Sequence, residues 1–485
     1  MLPISLRPNG RRAVIVGGGS VAARKAEALV AAGYPIFVVA ERIDDGLLAM
    51  LAERGGDCAA RSYESADVAN AALVVAATDD EATNARVVSD ARAAHALVCD
   101  ASRPERGDFS MAAAERIGDL TITADSAGGS PAFARRVVRE MARALGPQYG
   151  DAVRTLARMR AHVKAAFPPE ERAGILRALA ARPVDELAAM PAASVVCASR
   201  RSALATVQSR YVAACLAQRG IASTILGITT AGDRDQERPL DRLDSPNVFV
   251  KELEAALRDR RADYAVHSCK DLASSLPDDM RLAAISRRED PRDAFCSERF
   301  ASFESLPAGA VVGTSSPRRR EQLLALRPDL QLTTLRGNVD TRLRKLRDGE
   351  YDAIVLAMAG LNRLRARATH VVAFDVETIV PAAGQGALGI ETRAGDDALA
   401  GVLRAAVNDG STELCVACER AALRTLQAGC SAPIGVYATL EGETMTVRGA
   451  YAIEGLGVRT QRREARVATV REAEALGAEL AGALR

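Results

Sequence analysis

The stretch Ala13-Val-Ile-Val-Gly-Gly-Gly-Ser-Val-Ala-Ala-Arg-Lys25 sets a short apolar strand, Ala13 to Val16, against a glycine turn, Gly17-Gly-Gly19. A helix follows from Val21 to Ala32 and closes on Gly33. Ile36-Phe-Val-Val39 and Ala72-Leu-Val-Val-Ala-Ala77 read as further strands. Strands alternating with helices imply a parallel, doubly wound sheet. The glycines allow close backbone approach, and the start of the helix offers free N–H groups and a positive dipole end, so the turn suits a phosphate. Glycines at such a turn also serve simply by letting strand and helix pack tightly. Glu41 stands near the end of the second strand, where a ribose-binding acid belongs, but its fit is loose.

Outward from this unit, the 485 residues are too many for one domain of about 100–200 residues, and three or four are expected. Hydrophobic residues make up 48% and charged residues 26%, enough to bury a core without disulfides or a structural metal. The net charge of +2 excludes a grossly basic nucleic-acid binder. No apolar run approaches the roughly 18 residues of a membrane span, and the start has no apolar signal-peptide core. The nine cysteines, at 58, 99, 197, 215, 269, 296, 415, 418 and 430, are odd in number and irregularly spaced. That pattern suits a reducing cytoplasm. Four histidines without metal-ligand spacing give no dedicated metal site.

Residues 147–193 are Ala/Arg/Leu-rich and helical in period, broken at Pro168-Pro169, Pro183 and Pro191. They read as a link to the next domain or as a dimerisation element. A second α/β series starts with the strand Val195–Ala198. The helix Ser202–Leu216 follows, with Leu204, Val207, Tyr211 and Cys215 on one face. The polar residues 231–247 read as a mobile loop. Strand–turn–helix units start near Val311, Leu332 and Ala353. After about Asn408 come a helix, strands near 433–440 and 445–452, and a last helix near 471–484. The expected domains are 1–146, a helical region 147–193, 194–290 with 386–407, 291–385, and 408–485.

Cations gather where helices begin after strands. Ser199-Arg-Arg-Ser202 opens one helix, and Gly313-Thr-Ser-Ser-Pro-Arg-Arg-Arg320 opens another, with Ser316 as a plausible N-cap and Pro317 in the first turn. Leu335-Arg-Gly-Asn-Val-Asp-Thr-Arg342 and Ala359-Gly-Leu-Asn-Arg363 repeat the theme. Nine cations against four acids lie between Gly313 and Gly349, a local excess that suits a polyanionic ligand. A solvated helix face would explain Arg344 and Arg347 but not Arg318, Arg319 and Arg336, which sit at strand-to-helix turns. With aromatics at 4% and no stacking platform, nucleic acid is not the expected target. The strand in Ala262-Asp-Tyr-Ala-Val-His-Ser-Cys-Lys-Asp271 delivers Lys270 and Asp271 at its carboxyl end, where ligands collect in open α/β sheets. There the carboxylate can stabilise a developing cation and handle a proton, or it can be half of a surface ion pair. Cys430, in a Gly-containing loop, is either a nucleophile or attachment point, or a plain buried thiol. Cys415-x-x-Cys418 lies in a helical pattern and reads as packing.

The run Gly17 to Lys25, Ala76-Ala-Thr-Asp-Asp80 with Asn84, Gly107-Asp-Phe109 and Ser126-Ala-Gly-Gly-Ser-Pro131 resembles the precorrin-2 dehydrogenase family, the N-terminal module of siroheme synthases, over about residues 1–150. The resemblance implies oxidation of precorrin-2 to sirohydrochlorin with NAD, and in some members insertion of ferrous iron as a substrate. It implies that Gly17, Gly18, Gly19, Ser20 and Val21 hold the dinucleotide, with Thr78 and Asp79 lining its site and Ser126 near the tetrapyrrole. It also implies dimerisation through the helical tail, and hence a homodimer. That family usually carries an aspartate base shortly before a proline. Here Cys99-Asp-Ala-Ser-Arg-Pro104 has Ser102 or Arg103 at that spot. Asp100 is either a stand-in base or a turn residue at a strand end.

From about Ser194 onward the strings resemble the porphobilinogen deaminase (hydroxymethylbilane synthase) family. They are Phe249-Val-Lys-Glu-Leu-Glu254, His267-Ser-Cys-Lys-Asp271, Glu289-Asp-Pro-Arg-Asp-Ala-Phe295, Gly313-Thr-Ser-Ser316, Leu335-Arg-Gly-Asn338, Pro381-Ala-Ala-Gly-Gln-Gly-Ala387 and Gly429-Cys430. The resemblance implies two α/β domains like periplasmic binding proteins and a small α+β domain. It implies that four porphobilinogen units are joined head to tail with loss of ammonia, primed on a dipyrromethane held as a thioether by Cys430. Asp271 would stabilise the azafulvene-like cation. Arg200, Ser202, Lys270, Ser316, Arg318, Arg319, Arg336, Arg342 and Arg363 would bind acetate and propionate groups, and Lys251 would belong to a mobile lid. Where the family often has Gly-Gly-Lys-Gly, this chain has Asp244-Ser-Pro-Asn247, and Pro246 implies weaker contact between lid and substrate. Two rivals remain at this level. One is an active deaminase with a degenerate N-terminal dimerisation or tetrapyrrole-binding module. The other is an anion or tetrapyrrole sensor, which would need neither Lys270-Asp271 nor Cys430.

Overall fold

The computed structural model describes Leu2 and residues 4–230, 250–428 and 432–485. The expected loop at 231–247, Pro246 and Phe249, and the loop cysteine Cys430 with Gly429 all lie outside the described residues. The chain divides into two compact units, Met1–Asp151 and Ala152–Arg485. Among the described residues no helix is long and apolar enough to cross a membrane.

The first unit is built on five parallel strands: β1 (Arg12–Val16), β2 (Ile36–Ala40), β3 (Gly56–Ala60), β4 (Ala71–Ala76) and β5 (Leu97–Asp100). Their order is β3-β2-β1-β4-β5, so the winding reverses between β1 and β4 and leaves a crevice at the carboxyl ends of those strands. The apolar run of β1 is explained by burial on both faces. Ala13 and Ile15 pack with Ala22, Ala26 and Leu29, whereas Val14 and Val16 pack with Val87, Val88 and Ala91. A hairpin, β6 (Ala113–Ile117) and β7 (Leu120–Ala124), and the helix Pro131–Leu145 that lies against it complete the unit.

The second unit opens with the helices Pro169–Ala180 and Val184–Ala189, preceded by the greater part of Gln148–Ala166. Pro169 occupies the first turn of its helix and Pro183 precedes the next, as expected for a residue without an N–H to donate. Met159, Val163, Phe167, Leu179 and Leu187 form one apolar cluster with Ala213 and Ala217 of the helix Ala203–Ala217. The strands are β8 (Ser194–Arg200), β9 (Ala222–Ile228), β10 (Tyr264–Ser268), β11 (Met280–Ile285), β12 (Asp293–Ser297), β13 (Val311–Gly313), β14 (Gln331–Thr333), β15 (Ala353–Ala357), β16 (His370–Ala373), β17 (Leu388–Arg393), β18 (Ile434–Glu441), β19 (Thr444–Ile453) and β20 (Gly457–Arg466). They form three sheets, β11-β17-β10-β8-β9, β14-β13-β15-β12-β16 and β18-β19-β20. The chain leaves the first sheet after β11, builds the whole second sheet, and returns through residues 374–387 to insert β17 antiparallel between β10 and β11. Two α/β lobes are therefore tied by two crossings.

Two expectations need correction. The helix after β8 buries Ala205, Gln208, Ser209, Val212 and Leu216, not the face of Leu204, Val207, Tyr211 and Cys215; Tyr211 is 46% exposed. The helix sits so close to the sheet that small and polar side chains fill the contact: Ser209 Oγ donates to Ser199 Oγ at 2.8 Å and Gln208 Nε2 to Ser268 Oγ at 2.9 Å. The third strand of the last sheet, β20, was not anticipated. Its sequence is largely charged because alternate residues face solvent at a sheet edge.

Candidate active site

In the first unit the turn after β1 is held by backbone contact. Gly17 has φ +131°, and a Cβ there would lie 2.2 Å from Ala77 O. A Cβ on Gly18 would lie 2.0 Å from Arg42 O. These two glycines serve tight packing. Gly19 differs: nothing stands within 4 Å of its would-be Cβ. It precedes the helix Ser20–Ala31, whose first turn has no side-chain cap, and Ser20 and Val21 are exposed beside it. Free N–H groups and an open approach form a cradle that fits the phosphates of a dinucleotide. Across the switch point, Thr78 donates through N (3.1 Å) and Oγ1 (2.8 Å) to Asn84 Oδ1, and Asn84 Nδ2 returns a bond to Thr78 O at 2.9 Å. Asp79 is exposed next to it.

Asp100, 1% exposed, ends β5. Its Oδ1 accepts from Ser102 Oγ (2.7 Å), Ser102 N (3.0 Å) and Arg103 N (3.0 Å), an Asx turn. Burial pushes its carboxyl up, but these hydrogen bonds prevail and hold it below its ordinary value. Ser126 accepts from Ser130 N at 3.0 Å in the turn before the helix Pro131–Leu145.

In the second unit β10 ends in a single tight turn, Cys269–Asp271. Cys269 points into the core, while Asp271 is exposed to a cleft lined also by Arg200, Ser202, Gln208, His267 and Ser268. Ser202 caps the helix Ala203–Ala217 by accepting from Ala205 N at 3.3 Å. Lys270 donates to Gln385 Oε1 at 3.1 Å. Burial, then the charge of Arg319, lowers its amine to about 8, against the opposing pull of Asp271 and Asp293 and with a further push from Arg318.

The second lobe supplies the cations. Ser316 caps the helix Pro317–Leu326, accepting from Arg319 N at 3.4 Å. Arg318 and Arg319 are both turned inward, 4% and 6% exposed, onto the fully buried Asp293. Arg319 Nη2 donates to Asp293 Oδ1 at 2.6 Å and Arg318 Nη1 lies 2.7 Å from Oδ2. Burial opposes the charge on Asp293, yet the two guanidiniums hold its carboxyl well below the ordinary range. Arg342, which donates to Gly337 O at 2.8 Å, is lowered to about 10 by burial and by Arg319 and Arg336, while Asp271 pulls the other way. Lys270, Asp271, Arg319, Arg336 and Arg342 therefore share one electrostatic neighbourhood. Arg336 Nη1 is buried and has no partner among the described residues, which fits a site for an added anion. Arg363 stands apart: it donates to Gly386 O at 2.7 Å and neighbours Glu289 and Tyr211. Lys251 is exposed at the start of the helix Lys251–Arg258.

Several residues of this region carried no role in the sequence reading. Asp293 and Gln385 lay inside motifs already picked out, and an acid opening the apolar run Ala-Phe-Cys was a usable signal for the first. His267 Nε2 lies 2.9 Å from Glu391 Oε2 in the core beneath the cleft. Arg288 pairs with Glu419 at 2.8 Å, and Glu419 also accepts from Gly384 N and Ala438 N, joining the crossing segment to the last sheet. These partners are distant in sequence, so no local pattern announces them. Cys415 and Cys418 are core thiols, the first pushed up to about 12 by burial and both displaced upward.

Fold and site define an α/β enzyme that gathers cations around a strand-end aspartate for an anionic substrate, joined in one chain to a nucleotide-binding unit. Residues 195–401 match the family described as porphobilinogen deaminase, dipyromethane cofactor binding domain, and 413–485 match porphobilinogen deaminase, C-terminal domain. Residues 4–113 match putative NAD(P)-binding. The porphobilinogen deaminase of Albidiferax ferrireducens is 49% identical over 294 residues, 59% of this chain and 92% of that protein. That of Sorangium cellulosum is 47% identical over 295 residues, 59% of this chain and 97% of that protein. Among solved structures, SirC, a precorrin-2 dehydrogenase, aligns with 36% of this chain and 88% of its own at 22% identity and a TM-score of 0.32. The chain belongs to the porphobilinogen deaminase family, with a putative NAD(P)-binding domain preceding the deaminase.

Proposed function

We propose that the second unit joins four porphobilinogen units into hydroxymethylbilane with release of ammonia. The observation that carries this reading is the meeting of Asp271 with Lys270, Arg336 and Arg342 at the end of β10. A dipyrromethane on Cys430 would supply the pyrrole end to which the first porphobilinogen is joined. Asp271, exposed to the cleft, stabilises the cation that forms as ammonia departs and accepts hydrogen bonds from pyrrole N–H groups. Each added pyrrole brings two carboxylates, and Arg336, whose Nη1 has no partner among the described residues, Arg342 and Lys270 offset that charge. Arg200 and Ser202, which line the cleft together with Asp271, hold substrate there. Arg318 and Arg319, turned inward onto Asp293, add their charge from behind Lys270, and Arg363 and Lys251 would bind further carboxylates.

The test is the intact mass of the purified protein beside Cys430→Ser. The expected result is a mass above the sequence value by one dipyrromethane in the wild type and the bare mass in the variant. An unmodified wild type after incubation with porphobilinogen would bring the sensor reading forward.

The first unit, on this proposal, oxidises precorrin-2 to sirohydrochlorin with NAD at the open turn Gly17–Val21, and Thr78 and Asp79 line that site. NAD-dependent formation of sirohydrochlorin by the full-length protein tests it. The Asx turn at Asp100 favours a second reading, a binding or dimerisation module without a base of its own. NAD binding without turnover would select that reading, and a dimer that persists without the second unit would support its dimerisation role.

A further inference from the structure

Gln385 lies on the segment that returns the chain from the second lobe to the first, and it is 1% exposed. Its Oε1 accepts from Lys270 Nζ at 3.1 Å. Its Nε2 donates to Asp293 Oδ1 at 2.9 Å and to Pro291 O at 2.7 Å. Lys270 follows β10 in the first lobe. Asp293 opens β12 in the second and fixes Arg318 and Arg319, which are also anchored on Val380 O and Val355 O. The amide thus stands between a half-buried ammonium and a buried carboxylate. A neutral side chain with an acceptor at one atom and a donor at the other satisfies both; a carboxylate there would repel Asp293 and an ammonium would repel Lys270.

We propose that Gln385 and Asp293 are positioning residues of the deaminase, holding the Lys270 ammonium, Arg318 and Arg319 as one assembled cationic wall before the anionic substrate arrives. The inference rests on the deaminase reading above. It has a consequence that simple scaffolding lacks. The groups bearing on Lys270 are Arg319 and Arg318, which disfavour its charge, and Asp271 and Asp293, which favour it. The hydrogen bond to Gln385 stabilises the charged form. Lys270 is charged below about 8 and neutral above, so the wall loses a cation as pH rises through that value.

The experiment is the pH profile of kcat and KM for porphobilinogen, measured on the full-length protein carrying its dipyrromethane. The wild type is expected to lose kcat/KM with an alkaline limb near about 8. Gln385→Met removes the acceptor and moves that limb to lower pH by about one unit, so that kcat/KM falls roughly ten-fold at alkaline pH and only about two-fold at pH 7, chiefly through KM. Gln385→Glu puts a carboxylate beside the ammonium and moves the limb upward. Limbs at the wild-type position, including a uniform loss at every pH, overturn the proposal. Should the methionine variant fail to fold, the glutamate variant decides by the same criterion. A wild type that makes no hydroxymethylbilane removes the deaminase reading instead, and that result is read before any variant.

Discussion

Asp293 is the buried counter-charge behind the cleft, shared by Arg318 and Arg319. It is fully buried, yet it stays ionised because two guanidiniums and an amide surround it. Its folded carboxyl titrates well below the unfolded value of about 4, so its stabilising contribution is complete above that pH and is lost as pH falls through the folded value. Acid unfolding of the second unit should therefore set in below about pH 4, and Asp293→Asn should flatten that dependence. The same substitution leaves Arg318 and Arg319 without a counter-charge, and a cost of about 3–5 kcal/mol in chemical denaturation is expected at neutral pH. The sequence singled out Arg318 and Arg319 as too well placed for a solvated face, and they are indeed not solvated. Their direct partner, Asp293, lies 26 residues from Arg319, and its local signal, an acid opening the apolar run Ala-Phe-Cys, did not say which cations it would meet.

At the scale of elements, the strand–turn–helix at Gly17–Gly19 separates packing from binding. Gly18→Ala should unfold or displace the turn, because its Cβ would meet Arg42 O at 2.0 Å. Gly19→Ala should fold normally, its Cβ meeting nothing, and should weaken NAD binding by narrowing the approach to the helix N-terminus. Thermal melting with NAD titration distinguishes the two. The helices before β8 allow a second prediction. Met159 is fully buried among Phe167, Leu179, Ala213 and Ala217, and His162 Nε2 accepts the outward Ser223 N–H of edge strand β9 at 3.2 Å. Met159→Ala should cost about 2–5 kcal/mol in unfolding of the second unit. A role confined to linkage would leave that transition unmoved. Strands with apolar runs were readable because both faces of their sheets are buried. The inward face of the helix Ala203–Ala217 was not, because serine, glutamine and alanine fill a contact that apolar periodicity does not mark.

For the whole molecule, the division into two compact units predicts that nucleotide binding in the first and the deaminase in the second can be lost independently. Cys430→Ser should abolish hydroxymethylbilane formation and leave NAD binding at the wild-type level, whereas Gly19→Ala should weaken NAD binding and leave hydroxymethylbilane formation at the wild-type level. Loss of both functions in either variant would contradict this independence. The alternation of strands and helices (though not β20), the glycine turn, and the motifs bearing Lys270, Asp271 and the arginines were legible in the chain, since each depends on residues close together in sequence. What tertiary structure alone decided is how those residues are used. The return of β17 to the first sheet brings Gln385 between Lys270 and Asp293, and the crossing at Arg288 meets Glu419 more than a hundred residues away. A buried charge is tolerable only with a partner, and the partner is supplied by whichever strand the topology lays beside it. Periodicity and spacing report what each segment buries, whereas the pairing of its charges follows from the path of the whole chain.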